Sequence, residues 1–229
     1  MTKKRSASGD AAGGRGLSVR VKSARGRKSS STQWLRRQLN DPYVRQAQAA
    51  GYRSRAAFKL IELDDRFEFL KKGTRVIDLG AAPGGWTQVA LKRIGDKGEV
   101  VALDIQEWDE VPGATCLHFD FMDADAPDRL KEALGGKADI VLSDMAAPTT
   151  GHNRTDHLRI IGLAETAWAF AEDVLAPGGA FVCKVFQGGT EAELLKVMRA
   201  KCGKVTHAKP PASRKGSAEM YVVATGFKG

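Results

Sequence analysis

Val76-Ile77-Asp78-Leu79-Gly80-Ala81-Ala82-Pro83-Gly84-Gly85-Trp86 decides the fold. Four strand-forming positions run straight into a glycine-rich turn, and the turn opens a helical stretch. A turn of that kind lets backbone approach a ligand closely, because a residue without Cβ tolerates both positive φ and near contact. The spacing is not G-x-G-x-x-G, since Pro83 stands in a crowded position and Gly84-Gly85 follow. A dinucleotide pyrophosphate site is therefore disfavoured, though not excluded.

Outward from this turn, short β-rich runs alternate with helical stretches. The runs are Arg75 to Leu79, Glu99 to Ile105, Thr115 to Phe119, Ala138 to Ser143, Ala180 to Phe186 and Tyr221 to Thr225. Between them lie helical segments from Gly85 to Ile94, Ala126 to Leu134, His157 to Leu175 and Thr190 to Lys201, the third closed by Pro177-Gly178-Gly179. Such alternation predicts an α/β fold with a parallel sheet and crossover helices. Upstream, residues 34 to 69 are helix-like, with a break at Asp41-Pro42 and Ser54 placed to cap a helix carrying Phe58, Leu60 and Ile61.

The charge is uneven. Residues 1 to 60 hold 15 Lys and Arg against two acids, whereas residues 61 to 229 hold 21 against 25, so a chain of net charge +9 carries its basic surface at the N-terminal end. Residues 1 to 31, rich in Gly, Ser, Lys and Arg, have too little apolar surface to offset the entropy of ordering, which predicts a disordered basic tail ahead of a single domain over 32 to 229. Their Arg- and Ser-rich composition is shared with organellar transit peptides, but the apolar face of such peptides is missing. Three scattered cysteines and four histidines without ligand spacing predict a reduced, metal-free protein. No apolar run approaches the roughly 18 residues of a bilayer span, so a cytoplasmic protein without a membrane partner is expected.

Several side chains stand out chemically. Asp104, 24 residues after Gly80 and ending the second strand, can accept from both hydroxyls of a ribose; Asp120, after the third, can meet an adenine amino group. Either alone reads equally as a strand-end carboxylate capping a helix. Lys184 lies inside the apolar run Gly179-Ala-Phe-Val-Cys-Lys-Val-Phe186, where a lysine is costly unless paired or used. In a doubly wound sheet the carboxyl ends of strands four and five border one crevice, which brings Asp144 and Lys184 together.

The stretch from Asp78 to Trp86 resembles the cofactor-binding turn of the FtsJ/RrmJ-type methyltransferases, and the resemblance extends over about residues 52 to 226. It implies a doubly wound, mostly parallel seven-stranded sheet of the Rossmann-like S-adenosylmethionine methyltransferase type, with the last strand antiparallel. By that resemblance Asp78, Gly80, Pro83, Gly84, Trp86, Asp104, Asp120 and Asp144 surround S-adenosylmethionine. Gly84 and Trp86 fall at its methionine end, Asp104 at the ribose, Asp120 at the adenine and Asp144 near the reacting methyl. The family is also recognised by a Lys-Asp-Lys-Glu set, matched here by Lys59, Asp144, Lys184 and Glu219.

The implied reaction is 2′-O-methylation of a uridine ribose in 23S ribosomal RNA, by a monomer acting on large-subunit RNA within the ribosomal particle. A ribose hydroxyl is a very weak acid, so a positioned base is expected, with Lys184 in that role. Burial and Lys59 favour a neutral amine while Asp144 and Glu219 oppose it, so the four titrate as a coupled set. One departure is visible: the family follows Asp-Met-Ala with Pro-Asn, whereas Asp144-Met145-Ala146 continues Ala147-Pro148-Thr149. Transfer RNA is the alternative substrate. A base methyltransferase would carry an aromatic clamp after strand four, which Asp144-Met-Ala-Ala-Pro lacks. An oxidoreductase has no room for a substrate domain, and a non-catalytic RNA-binding module leaves the four matched positions without a purpose.

Overall fold

The computed structural model describes residues 29–148, 150–188 and 192–229. The expected tail lies outside the described residues, apart from residues 29–31, which form the first turn of helix α1 (Ser29–Asn40). Helix α2 (Pro42–Ala49) follows after one residue: Pro42 occupies its first turn, and the Asp41 carboxylate accepts from Tyr43 N–H. The break expected at Asp41-Pro42 is thus a helix cap. Helix α3 (Ala57–Phe67) is capped by Ala56 without a side-chain bond. Ser54 does not cap it; its buried Oγ instead sits where a Cβ on Gly85 would fall, 2.4 Å away, so glycine at 85 lets α3 and the turn approach each other.

Strands β1 (Arg75–Leu79), β2 (Glu99–Asp104), β3 (Thr115–His118), β4 (Ala138–Ser143) and β5 (Leu175–Phe186) alternate with helices α4 (Gly85–Ile94), α5 (Ala126–Leu134) and α6 (Asn153–Val174). Helix α7 (Ala192–Lys201) and strands β6 (Cys202–Ala208) and β7 (Glu219–Phe227) complete the chain. The sheet has seven strands in the order β3-β2-β1-β4-β5-β7-β6. All neighbours are parallel except β7, which runs antiparallel to both β5 and β6.

Period-two alternation sorts the core. Ile77 and Leu79 of β1, with Val101 and Leu103 of β2, face α5, α6 and α7, while Val76, Val100 and Ala102 face α3 and α4. Both faces are covered, which is why the parallel strands read as near-continuous apolar runs. Helix α6 ends at Val174, and Pro177-Gly178-Gly179 follows just beyond its cap, inside β5: Leu175 pairs with Ala138, the register shifts, and Ala180 resumes opposite Ile140. Strand order reverses between β1 and β4, and their carboxyl ends open the crevice in which ligands of such sheets bind.

Candidate active site

The β1–α4 turn lies at that reversal. Gly80 has φ +79°, and a Cβ there would stand 2.8 Å from Met145 backbone, so glycine alone lets the turn lie against the chain leaving β4. The turn is fixed from beneath by Asp78, which is fully buried and accepts from Thr87 Oγ1 at 2.7 Å. Burial, opposed only in part by that bond, pushes the Asp78 carboxyl up to about 7.

In front of the turn a cleft of about 570 Å³ is lined by Gly80, Asp104, Asp120 and Asp144, together with the exposed apolar side chains Ile105 and Met122. The Asp104 carboxylate is held by two backbone donors, Ala82 N–H on Oδ2 and Gln106 N–H on Oδ1, both at 2.8 Å. Each oxygen keeps a further lone pair towards the cleft. Asp120 Oδ1 accepts from Met122 N–H at 2.9 Å, which fixes the β3–α5 connection in the same way. Ala147 and Pro148 of the departing segment form part of the wall, and Thr149 lies outside the described residues.

Asp78, Pro83, Gly84 and Trp86 stand around the turn but not on the cleft wall. Trp86 is 3% exposed, its indole donating to the Ala56 carbonyl and its rings lying 5.6 Å from Tyr221. Gly84 is covered by Val111, Trp108 and Arg53. Arg53 donates to the carbonyls of Pro83, Asp109 and Glu110, tying the turn to the loop after β2.

At the inner end of the cleft the four predicted polar residues converge. Lys59 Nζ donates to Glu219 Oε2 at 2.8 Å and stands 4.0 Å from Asp144 Oδ2. Lys184 Nζ is 3.2 Å from Asp144 Oδ1 and also donates to the Asp144 carbonyl. Tyr221, read from the sequence only as the start of a strand, completes the group: its hydroxyl donates to Asp144 Oδ1 at 2.7 Å and accepts from Lys59 at 3.2 Å. Its position was accessible in principle, being two residues beyond Glu219 and opposite Lys184 in the antiparallel register, hence on the same face. Ile105 and Met122 were missed because a lone apolar residue in the connection after a strand carries no signal of its own.

Burial alone would raise the Asp144 carboxyl, but Lys184, Lys59 and the Tyr221 hydroxyl outweigh it and hold it below the usual carboxylate range. Tyr221 is pushed well above its ordinary value, first by burial and then by the Asp144 and Glu219 carboxylates. Cys183, beside Lys184, is no nucleophile, since burial pushes its thiol up to about 12. Among the described residues no cluster of His, Cys, Asp or Glu could hold a metal ion, and no helix is long and apolar enough to cross a membrane.

The FtsJ-like methyltransferase family matches residues 52–227. Ribosomal RNA large subunit methyltransferase E of Rhodospirillum rubrum is 66% identical over 221 residues, which cover 95% of this chain and 84% of that protein. The protein of the same name from Paramagnetospirillum magneticum is 66% identical over 227 residues, covering 97% and 93%. Among solved structures, one described as a ribosomal RNA methyltransferase of Plasmodium falciparum superposes with a TM-score of 0.70 at 32% identity, covering 78% of this chain and all of that one.

Proposed function

The chain belongs to the FtsJ-like methyltransferase family, and from that premise we propose that it methylates the 2′-hydroxyl of a uridine ribose in 23S ribosomal RNA with S-adenosylmethionine as donor. The observation that carries this reading is the double membership of Asp144, which lines the cleft and also anchors Lys59, Lys184 and Tyr221. A methyl donor in the cleft and a hydroxyl at the cluster meet at one carboxylate.

The cleft fits the donor by its own chemistry. Its volume lies within the range of small-molecule sites. Asp104 and Asp120 offer acceptors for a ribose and an adenine amino group, Ile105 and Met122 supply the apolar surface a purine stacks on, and Gly80 and Asp144 line the part of the wall left for the methionine portion. When bound, S-adenosylmethionine supplies an electrophilic methyl on a sulfonium. Lys184, in its neutral form, takes the proton of the 2′-hydroxyl, and Asp144 stabilises the ammonium so formed while holding the amine in place. Lys59, fixed by Glu219 and Tyr221, orients the ribose for in-line approach.

A domain of this size has little surface with which to read a base sequence, so selectivity rests on RNA shape and phosphate placement, as an assembling or assembled large subunit in the cytoplasm offers. The relatives named for large-subunit ribosomal RNA support that choice over transfer RNA. The test is incubation of the protein, as a monomer, with labelled S-adenosylmethionine and, separately, large subunits from a strain lacking the gene, total transfer RNA and capped messenger RNA. Label in the large subunit is the expected result, and label confined to transfer RNA or caps would overturn the assignment.

A further inference from the structure

Arg55, two residues ahead of α3, and Glu62 of α3 grip a single residue in the loop between β6 and β7. Arg55 Nη2 donates to the Ala212 carbonyl, and Glu62 Oε2 accepts from Ala212 N–H, each at 2.6 Å. Ala212 is fully buried and its neighbour Ser213 is 4% exposed. The Ser213 hydroxyl donates to Glu219 Oε1 at 2.8 Å, while Oε2 of the same carboxylate holds Lys59. One oxygen of Glu219 is therefore set by the loop and the other sets an amine of the cluster.

The grip is braced from the N-terminal side. Arg55 pairs with Asp41, the cap of α2, at 2.8 Å, and Glu62 Oε1 accepts from the Tyr43 hydroxyl of α2 at 2.9 Å. Arg214 of the loop approaches Asp41 at 3.7 Å. A continuous path of bonds thus runs from α2 through α3 and the loop to Glu219.

We propose that Ser213 is a positioning residue for methyl transfer, orienting Glu219 and through it Lys59, and that Arg55 and Glu62 hold its loop so that the N-terminal helices set this geometry. A hydroxyl that donates to a charged carboxylate fixes it more strongly than a neutral pair would. Placement of a reacting group is sensitive to errors well below the length of a bond, so loss of the donor reaches the rate without touching the cleft. Ser213 is not on the wall that would hold the methyl donor. The proposal rests on the ribose 2′-hydroxyl reading.

Ser213→Ala and Ser213→Thr, with Glu62→Ala as a release of the same loop from outside, test it in single- and multiple-turnover assays on undermethylated large subunits. For Ser213→Ala the expected result is a kcat lower by about tenfold, with KM for RNA and donor affinity within about twofold of the parent. Ser213→Thr, which keeps the hydroxyl, should recover at least half of the lost rate. A kcat within twofold of the parent overturns the proposal, as does a loss that comes with equally weakened donor binding. Should Ser213→Ala fail to fold, Glu62→Ala decides by the same readouts. An unaltered chain that places no methyl on a ribose overturns the underlying reading instead, so the two failures are distinguishable.

Discussion

Asp78 carries its carboxyl inside the sheet with Oδ1 unpartnered and Oδ2 bonded only to Thr87. Because burial raises its folded-state pKa from 3.8 to about 7, the native chain keeps a proton that the unfolded chain releases between those values. Its contribution to stability is present in full below about pH 4 and is lost as pH rises through about 7, on the order of 4 kcal/mol in all. Asp78→Asn, which keeps the shape and the bond to Thr87, should melt close to the parent at pH 4 and above it at pH 8. Melting curves that stay parallel across that range would contradict the assignment. Asp104→Ala should weaken donor binding by about 2–4 kcal/mol in calorimetry, since a charged acceptor is lost and two backbone amides lose their partner with it. Asp104, Asp120 and Asp144 were legible as carboxylates at strand ends and Lys184 as a lysine inside an apolar run, whereas Lys59 and Glu219 were reached through the family resemblance. What was not legible is how they are held: that both Asp104 oxygens also fix backbone, or that Glu219 depends on Ser213, follows from loop paths no periodicity encodes.

At the scale of elements, the β1–α4 turn is the most constrained piece of backbone. Gly80→Ala would put a Cβ on a residue at φ +79° and 2.8 Å from Met145 backbone. Stability should fall by about 2–4 kcal/mol in guanidinium unfolding, with donor affinity reduced alongside; an unchanged midpoint would show that the turn and the chain after β4 do not pack as described. Most strands and helices were readable because a parallel sheet covered on both faces leaves long apolar runs between glycine and proline breaks. Strand β6 was not. Cys202-Gly-Lys-Val-Thr-His-Ala208 follows α7 without a break, pairs only with β7 and is mostly half-exposed, so it has neither the apolar run of a central strand nor a clean alternation. The seventh strand was expected from the family resemblance, with no segment assigned to it. Pro177-Gly178-Gly179 was read only as the stop of the preceding helix, which does end at Val174; its place inside β5 was not legible, since an irregularity at the start of a paired strand uses the same residues.

For the whole molecule, charge separates the work. Residues 1–28 contain nine Lys and Arg and one acid, while residues 61–229, which hold the sheet and the cleft, carry 21 basic against 25 acidic residues. Deleting residues 1–28 spares helix α1. Donor affinity should remain unchanged, whereas RNA binding should weaken and its dependence on salt flatten, because fewer counterions are released. An unchanged salt slope would remove the tail from the RNA contact. The four-residue cluster makes a stricter demand. Lys184→Ala should slow single-turnover transfer by about 10²–10⁴-fold while donor affinity stays within a few fold, because the amine acts on the hydroxyl and not on the donor. The measurement closest to the central claim is the position of the methyl group itself: large-subunit RNA labelled by this protein, digested to nucleosides and resolved by mass spectrometry. The account predicts label on the ribose 2′-oxygen of a uridine, formed by the unaltered protein and lost with Lys184→Ala. Label on a base, or ribose label that persists at the normal rate in Lys184→Ala, would contradict it.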